Sequence, residues 1–390
     1  MENTVKNTTE KKIHSVAVIG FGTRMKTFVG ALLATGRVRI CAIADPDGTG
    51  ARERAAACGV TDARIYPDAR EMLETETPDG VLVGTRCSLH TEMAELVASY
   101  GLPLFLEKPV AITDGELARL EKLLPTMEEK TVVSFPLRAS YMYRRVEEIL
   151  RSGVLGKLSQ IQAVNNVPYG RGYFHKWYRH FSETGGQLLQ KSTHDLDYIN
   201  HLLAGDRPLR VMASRSRTVF GGDEPAEKKC ADCDKRAECR ESPENLQDFY
   251  ATVPAGEYCC FARDVDIEDC DSCIVEYESG IHAVYTQNFV VRRDAGKRGA
   301  RIVGFLGTLE FDWVSGIITV YHHFENKVET VDVNAEQTGS HFGGDEVLAE
   351  SFVGVMEGKA SVAPLSSGVE SARLCLAARR SATEHCTVAL

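Results

Sequence analysis

The chain begins its ordered pattern on a strand that stops at glycine. His14–Gly20 (HSVAVIG) is apolar on consecutive positions, Gly20-Phe21-Gly22 breaks the run, and Met25–Ala34 continues with helical spacing. A strand apolar on both sides has to be covered on both faces, which parallel sheets flanked by helices achieve. The alternation then repeats. Val38–Ala44 (VRICAIA), Arg64–Tyr66, Gly80–Gly84, Leu102–Leu106 and Thr131–Phe135 read as strands. Ala51–Cys58, Ala69–Leu73, Leu89–Ser99 and Thr113–Leu124 read as the helices between them. This order predicts an α/β fold, a doubly wound parallel sheet over residues 13–136, with its site at the C-terminal strand ends.

The first turn carries the chemistry of a nucleotide site. Gly20 permits the turn, and Gly22 lets backbone approach a pyrophosphate at the helix N-terminus, with Phe21 and Thr23 in the same loop. Met25 stands where a third glycine is usual, so helix and strand are expected slightly further apart. Arg24 is placed to touch a phosphate or the adenine. Asp45 ends the second strand, about 20–25 residues past the glycines, where an acid accepts ribose hydroxyls and repels a 2′-phosphate. That favours NAD over NADP; the plain alternative is a turn or helix cap before Pro46.

Two more segments fall at strand ends: Thr85-Arg86-Cys87-Ser88-Leu89-His90 and Glu107-Lys108-Pro109. Lysine in a loop is most often solvated. Before proline at a strand end its backbone is held extended, and a desolvated lysine beside a cofactor can act in proton transfer.

A chain of 390 residues is too long for one ordinary core, and 137–390 reads as a second domain. Ser140–Ser152 is an amphipathic helix, and Leu158–Val167 alternates as a strand. Arg207–Phe220 reads as a strand, and the stretches from Ser272 to Val333 predict an antiparallel sheet of about five or six strands. Pro168–Glu183 is dense in aromatic and cationic residues. It is either a structured loop or a platform on which Tyr173 and Trp177 stack against a sugar while Arg179 bonds its hydroxyls.

Gly185–His201 (GGQLLQKSTHDLDYINH) reads as a glycine pair and a helix. Lys191, His194, Asp197 and His201 fall on one face of it. A core histidine and a surface acid are the bland reading of His194 and Asp197. Arg292–Arg298 reads most simply as a solvated loop, the alternative being that it reaches a cofactor or a neighbouring subunit.

Twelve cysteines are many for a chain whose start lacks a secretory pattern, and seven lie between Cys230 and Cys273. Such clustering favours metal or free thiols over disulfides. Cys230, Cys233, Cys239 and Cys260 are candidate ligands of a structural zinc in an insertion at about 222–270. Iron or plain reduced thiols are the alternatives. The net charge of −10 argues against nucleic acid and anionic membranes, and no apolar run suits a transmembrane helix. Met1–Lys12 reads as a polar tail, and the expected location is cytoplasmic.

In this order, the GFGTRM turn, Asp45-Pro46, Ser88-x-His90, Glu107-Lys108-Pro109 and the GG…KxxHxxD stretch resemble the glucose-fructose oxidoreductase, inositol dehydrogenase and MocA family. The resemblance spans about residues 13–390. It implies a Rossmann domain binding NAD(P) and a C-terminal α/β domain with a large, mostly antiparallel open sheet. That second domain binds substrate and often joins subunits into a homo-oligomer, a dimer or tetramer. Thr85, Ser88, His90, Glu107 and Lys108 would line the cofactor side. Lys108, Arg138, Tyr173, Trp177, Arg179, Lys191, His194 and His341 would line the substrate. Lys108 and His194 would be catalytic, with Asp197 orienting the imidazole. Many relatives carry an Asp where this chain has Gln190.

The implied activity is NAD-dependent oxidation of a ring hydroxyl of a sugar or glycoside, with the 3-position of a pyranoside preferred. An NAD-dependent glycosidase acting by oxidation and elimination, and a non-catalytic sugar sensor, are the rivals.

Overall fold

The computed structural model describes residues 12–245, 257–336 and 339–390. The expected N-terminal tail, apart from Lys12, lies outside them, as does part of the cysteine-bearing insertion.

Six parallel strands form the first sheet. They are β1 (His14–Ile19), β2 (Val38–Ala44), β3 (Arg64–Tyr66), β4 (Gly80–Val83), β5 (Leu104–Leu106) and β6 (Thr131–Val133). Their spatial order is β3-β2-β1-β4-β5-β6, so the direction of winding reverses between β1 and β4 and opens a crevice there. The central strands are buried on both faces, which is why their sequences run apolar without alternation.

Gly20 has φ +79°, and a Cβ on it would sit 2.8 Å from the Thr85 amide nitrogen, so β1 and β4 can end side by side only with glycine here. Gly84 makes room for the Met25 side chain. A Cβ at Gly84 would lie 2.4 Å from Met25 Cε.

The second sheet has nine strands. Those following the first sheet are β7 (Leu158–Asn166), β8 (Pro208–Ser216), β9 (Cys270–Tyr277), β10 (His282–Asn288), β11 (Lys297–Gly304), β12 (Gly307–Asp312), β13 (Ile317–His322), β14 (Val328–Asp332) and β15 (Val388–Ala389). Their order is β14-β13-β12-β11-β7-β10-β9-β8-β15. This exceeds the five or six strands expected from Ser272–Val333, because β7, β8 and the chain's last residues join them. β7 pairs parallel with β10 and antiparallel with β11.

Alternation sets the faces. Ile161, Ala163, Val275, Ala283, Tyr285 and Ile302 are buried, while Gln162, Arg301 and Glu310 lie on the open side. The helices Ser192–Leu202 and Leu365–Glu384 pack against each other and against this sheet. β8 stops at Ser216, short of the expected Phe220, which joins a small separate core with Phe174, Cys260 and Phe289.

The helix Gly344–Met356 returns to the first sheet, with Phe352 edge-on to Phe105 at 6.1 Å. Both layers therefore share one core, and the ends of β5 and of helix Gln187–Gln190 face each other. Among the described residues no helix is long and apolar enough to cross a membrane.

Candidate active site

The crevice beside β1 has the properties of a dinucleotide site. The Phe21 amide donates to Asp45 Oδ2 at 2.8 Å, and the Asp47 amide donates to Asp45 Oδ1 at 2.9 Å. Each carboxylate oxygen retains accepting capacity for a ribose hydroxyl. The helix Thr23–Ala34 starts at Gly22 with no side-chain cap, and a Cβ at Gly22 would meet nothing within 4 Å. Its first amides are thus open to an anion. A cavity of about 480 Å³ next to it is walled by Gly20, Pro46, Pro67, Thr85, Leu89 and Met93, with Asp68, Arg70, Glu92 and Glu95 also in its lining. These residues fit NAD.

Lys108 follows β5 and reaches across to the other layer. Its Nζ donates to the Gln190 carbonyl at 2.6 Å. Burial pushes its pKa down to about 8; Lys191 and Arg298 push the same way, against Cys87 and Glu107.

Gly185 and Gly186, at φ +74° and +87°, turn the chain into the short helix Gln187–Gln190. The expected single helix breaks at Lys191 before resuming at Ser192. Lys191 Nζ donates to the Tyr169 hydroxyl at 2.6 Å and to the Tyr173 hydroxyl at 3.3 Å. Burial lowers its pKa too.

His194 lies in the first turn after the break. Burial drives its pKa well below the usual histidine value, and Lys108, Arg298, Lys191 and His341 all add to that shift. The imidazole is therefore neutral at pH 7, with Nδ1 buried and unpartnered.

Asp195 and Arg298 were not anticipated. Arg298 Nε and Nη2 each reach an Asp195 oxygen at 2.9 Å, and Asn165 and Tyr285 donate to the same carboxylate at 2.9 and 3.0 Å. The available signal was strand alternation: Arg298 shares the inward face of β11 with Ala300 and Ile302. Tyr169 was missed as well.

Several expected site residues do other work. Arg24 is engaged within the protein: its Nε pairs with Glu107 at 2.8 Å and its Nη2 with Asp345 at 2.6 Å, bridging the two layers. Glu107 also accepts from the Ser134 hydroxyl at 2.8 Å. His90 is buried, with Nδ1 2.7 Å from the Pro109 carbonyl and Nε2 3.2 Å from that of Thr85, so it braces the two strand ends. Ser88 donates to Glu183 at 3.0 Å and Arg86 pairs with it at 3.0 Å, tying the aromatic loop to the nucleotide half.

Asp197 does not orient His194. It points behind the helix to Arg138, 3.4 Å away, and both line a separate rear cavity, which removes Arg138 from the substrate side as well. Arg179 is fully buried against Asp264 and the Cys259 carbonyl, outside the cleft. Trp177 stays near it, stacked on Tyr178 at 3.8 Å with Arg86 over its ring at 5.2 Å. His341 bonds Asp345 at 2.8 Å. Burial would push the Asp345 carboxyl up, but His341 and Arg24 hold it well below the carboxylate range.

A parallel sheet with an open nucleotide crevice, facing a second layer through buried lysines and a neutral histidine, defines a two-layer oxidoreductase. Residues 14–136 match the oxidoreductase family with the NAD-binding Rossmann fold, and 143–310 match the GFO/IDH/MocA C-terminal domain. The chain belongs to the Gfo/Idh/MocA family of oxidoreductases, and it is an enzyme of the dehydrogenase type.

It is 26% identical over 321 residues to the putative oxidoreductase YteT of Bacillus subtilis (strain 168), covering 72% of this chain and 73% of that one. It is 27% identical over 194 residues to inositol 2-dehydrogenase of Burkholderia multivorans, covering 49% of this chain and 55% of that relative. The fold matches a levoglucosan dehydrogenase solved with NADH and levoglucosan, with TM-score 0.75, 17% identity, and 97% and 99% of the two chains covered.

Proposed function

We propose that this protein is an NAD-dependent dehydrogenase of a ring hydroxyl on a sugar or glycoside, with position 3 of a pyranoside as the preferred carbon. The observation that carries this reading is Lys108. It is buried at a strand end beside the nucleotide crevice, brought to about pH 8, and set against Gln190 and a neutral His194.

NAD bound in the crevice supplies a hydride acceptor. Lys108 in its neutral form takes the hydroxyl proton, and Lys191 with Arg298 stabilises negative charge developing on the substrate oxygen. His194, neutral and unpartnered at Nδ1, orients the hydroxyl. Trp177 and Tyr178 offer an aromatic wall to a sugar's C–H face. Asp45 favours NAD over NADP by its charge next to the ribose. Two relatives, named for inositol and levoglucosan, act on cyclic polyols and sugars, which supports the substrate class.

The test is a panel of sugars, cyclitols and glycosides with NAD or NADP, followed by absorbance of the reduced cofactor. Stoichiometric NADH from a pyranoside is the expected result. Release of an aglycone with no net NADH would replace this reading with redox-neutral cleavage. NAD binding without turnover on any member of the panel would replace it with a sensor.

A further inference from the structure

Among the described residues of the insertion between β8 and β9, Phe220, Cys260, Val265 and Ile267 share a small apolar cluster with Val167, Phe174 and Phe289, and five thiols gather beside it. Cys230, Cys233, Cys239, Cys259 and Cys260 line one small cavity of about 20 Å³ with His175, Arg236 and Glu241. About one water-sized sphere fits in such a volume. A single ion fits such a volume.

The backbone brings four of these thiols to one cavity. Lys229 and Tyr258 form an antiparallel bridge, flanked by bonds from the Cys230 amide to the Glu257 carbonyl and from the Cys259 amide to the Lys228 carbonyl. That register puts Cys230 and Cys259 diagonally opposite on one face. The Cys233 amide bonds back to the Cys230 carbonyl at 3.3 Å, closing the tight turn typical of a C-x2-C ligand pair. Cys239 follows after a second turn.

Cys260 touches the same cavity but differs from the other four in its packing. It is 1% exposed and belongs to the apolar cluster of Val167, Phe174, Phe220 and Phe289. It also lies near His175 and Glu241, with their three ligand atoms within 4.8 Å of one another. Glu241 is already engaged by Arg292 at 2.8 Å, so that group reads as packing around an ion pair.

Arg236 also lines the cavity; its Nη2 pairs with Glu244 at 2.6 Å and its Nε is buried without a partner, so a guanidinium stands beside the thiols.

We propose that Cys230, Cys233, Cys239 and Cys259 bind one zinc ion as a tetrathiolate, with Cys260 left in the core. Binding expels the four thiol protons, and no electron moves. The centre fixes the wall of the substrate cleft. The Tyr258 amide donates to the His175 carbonyl at 3.1 Å, His175 Nδ1 bonds the Tyr258 carbonyl at 2.7 Å, and Arg179 bonds the Cys259 carbonyl at 3.2 Å. Through these bonds the insertion holds the loop that carries Tyr169, Tyr173 and Trp177.

The test is metal analysis of the purified full-length chain, prepared without oxygen. About one zinc per chain is expected. Cys259→Ser should lose it, and Cys260→Ser should keep it. NAD binding serves as the check that each variant is folded. Cobalt exchanged into the wild-type chain should give the strong thiolate charge-transfer and tetrahedral d–d bands, a readout that needs no variant to fold. Metal-free protein, bound iron in place of zinc, cobalt spectra without thiolate bands, or zinc kept by Cys259→Ser and lost by Cys260→Ser would each overturn the assignment.

Discussion

The helix Ser192–Leu202 has buried titratable groups on two sides, and the two sides solve the problem of buried charge differently. Behind the helix, a cavity of about 670 Å³ holds Asp197 against Arg138, with His201 bonded to the Tyr143 hydroxyl at 2.6 Å. There a carboxylate faces a guanidinium. In front, Lys108 and Lys191 are held by neutral oxygens, a carbonyl and two phenols, and both have lowered pKa values. The front carboxylate, Asp195, is committed to Arg298. In the rear pocket a buried acid is answered by a fixed internal partner, whereas cations held only by neutral acceptors are poised to exchange protons with a ligand. Burial alone does not distinguish a catalytic cluster from a structural one. The identity of the partners does.

Lys108→Met tests this contrast most strongly. It should lower kcat/KM by about 10³, within the range for loss of a general base, and leave NAD affinity unchanged. Steady-state rates with the substrate found in the panel, together with a fluorescence titration of NADH, measure both. A loss below tenfold would remove the front cluster's claim to the chemistry.

Arg138→Met is the rear counterpart. It strands the Asp197 carboxyl and should cost about 3 kcal/mol of stability, the lower end for a broken buried pair because that acid can take up a proton. It should leave kcat/KM within about twofold, since nothing in the rear touches the reacting atoms. Denaturant unfolding and initial rates read the two effects separately. A rate defect as large as that of Lys108→Met would erase the distinction between the sides.

The sequence revealed the elements whose pattern is local. β1, β4 and β5 stood out because burial on both faces makes a continuous apolar run, and Lys108 followed from its place after such a run. His194 and Lys191 were legible from their spacing. What could not be read were the partners. Arg24 meets Asp345 across 321 residues of chain, and Arg179 meets Asp264 across 85. An arginine near a glycine turn or an aromatic loop looks the same whether it awaits a ligand or closes an internal pair. The single-face reading of Lys191, His194, Asp197 and His201 assumed an unbroken helix. The break at Lys191 separates that residue from the helix that carries the other three, and on that helix Asp197 turns to Arg138. Parallel pairing of β7 with β10 has no local signature, because register between distant strands is set by the whole sheet.

The two sides should also answer to pH in different windows, and this is the smallest and most discriminating effect. In front, the neutral form of Lys108 is the reactive one. With a pKa of about 8, roughly one molecule in ten carries it at pH 7 and nine in ten at pH 9, so kcat/KM should rise about tenfold between them. His194 is already neutral throughout that range and adds no second limb.

In the rear, burial outweighs the attraction of Arg138 and raises the Asp197 carboxyl to about 7. A carboxyl whose folded pKa is raised favours the fold when protonated. Its contribution is complete below the unfolded value near 3.8 and is lost as pH climbs through about 7. The unfolding midpoint should therefore fall between pH 5 and 7, before the rate begins its main rise. Asp197→Asn should flatten that stability slope and leave the rate limb near pH 8 in place. A rate limb that moves with Asp197→Asn would mean that the two sides of the helix are one coupled network.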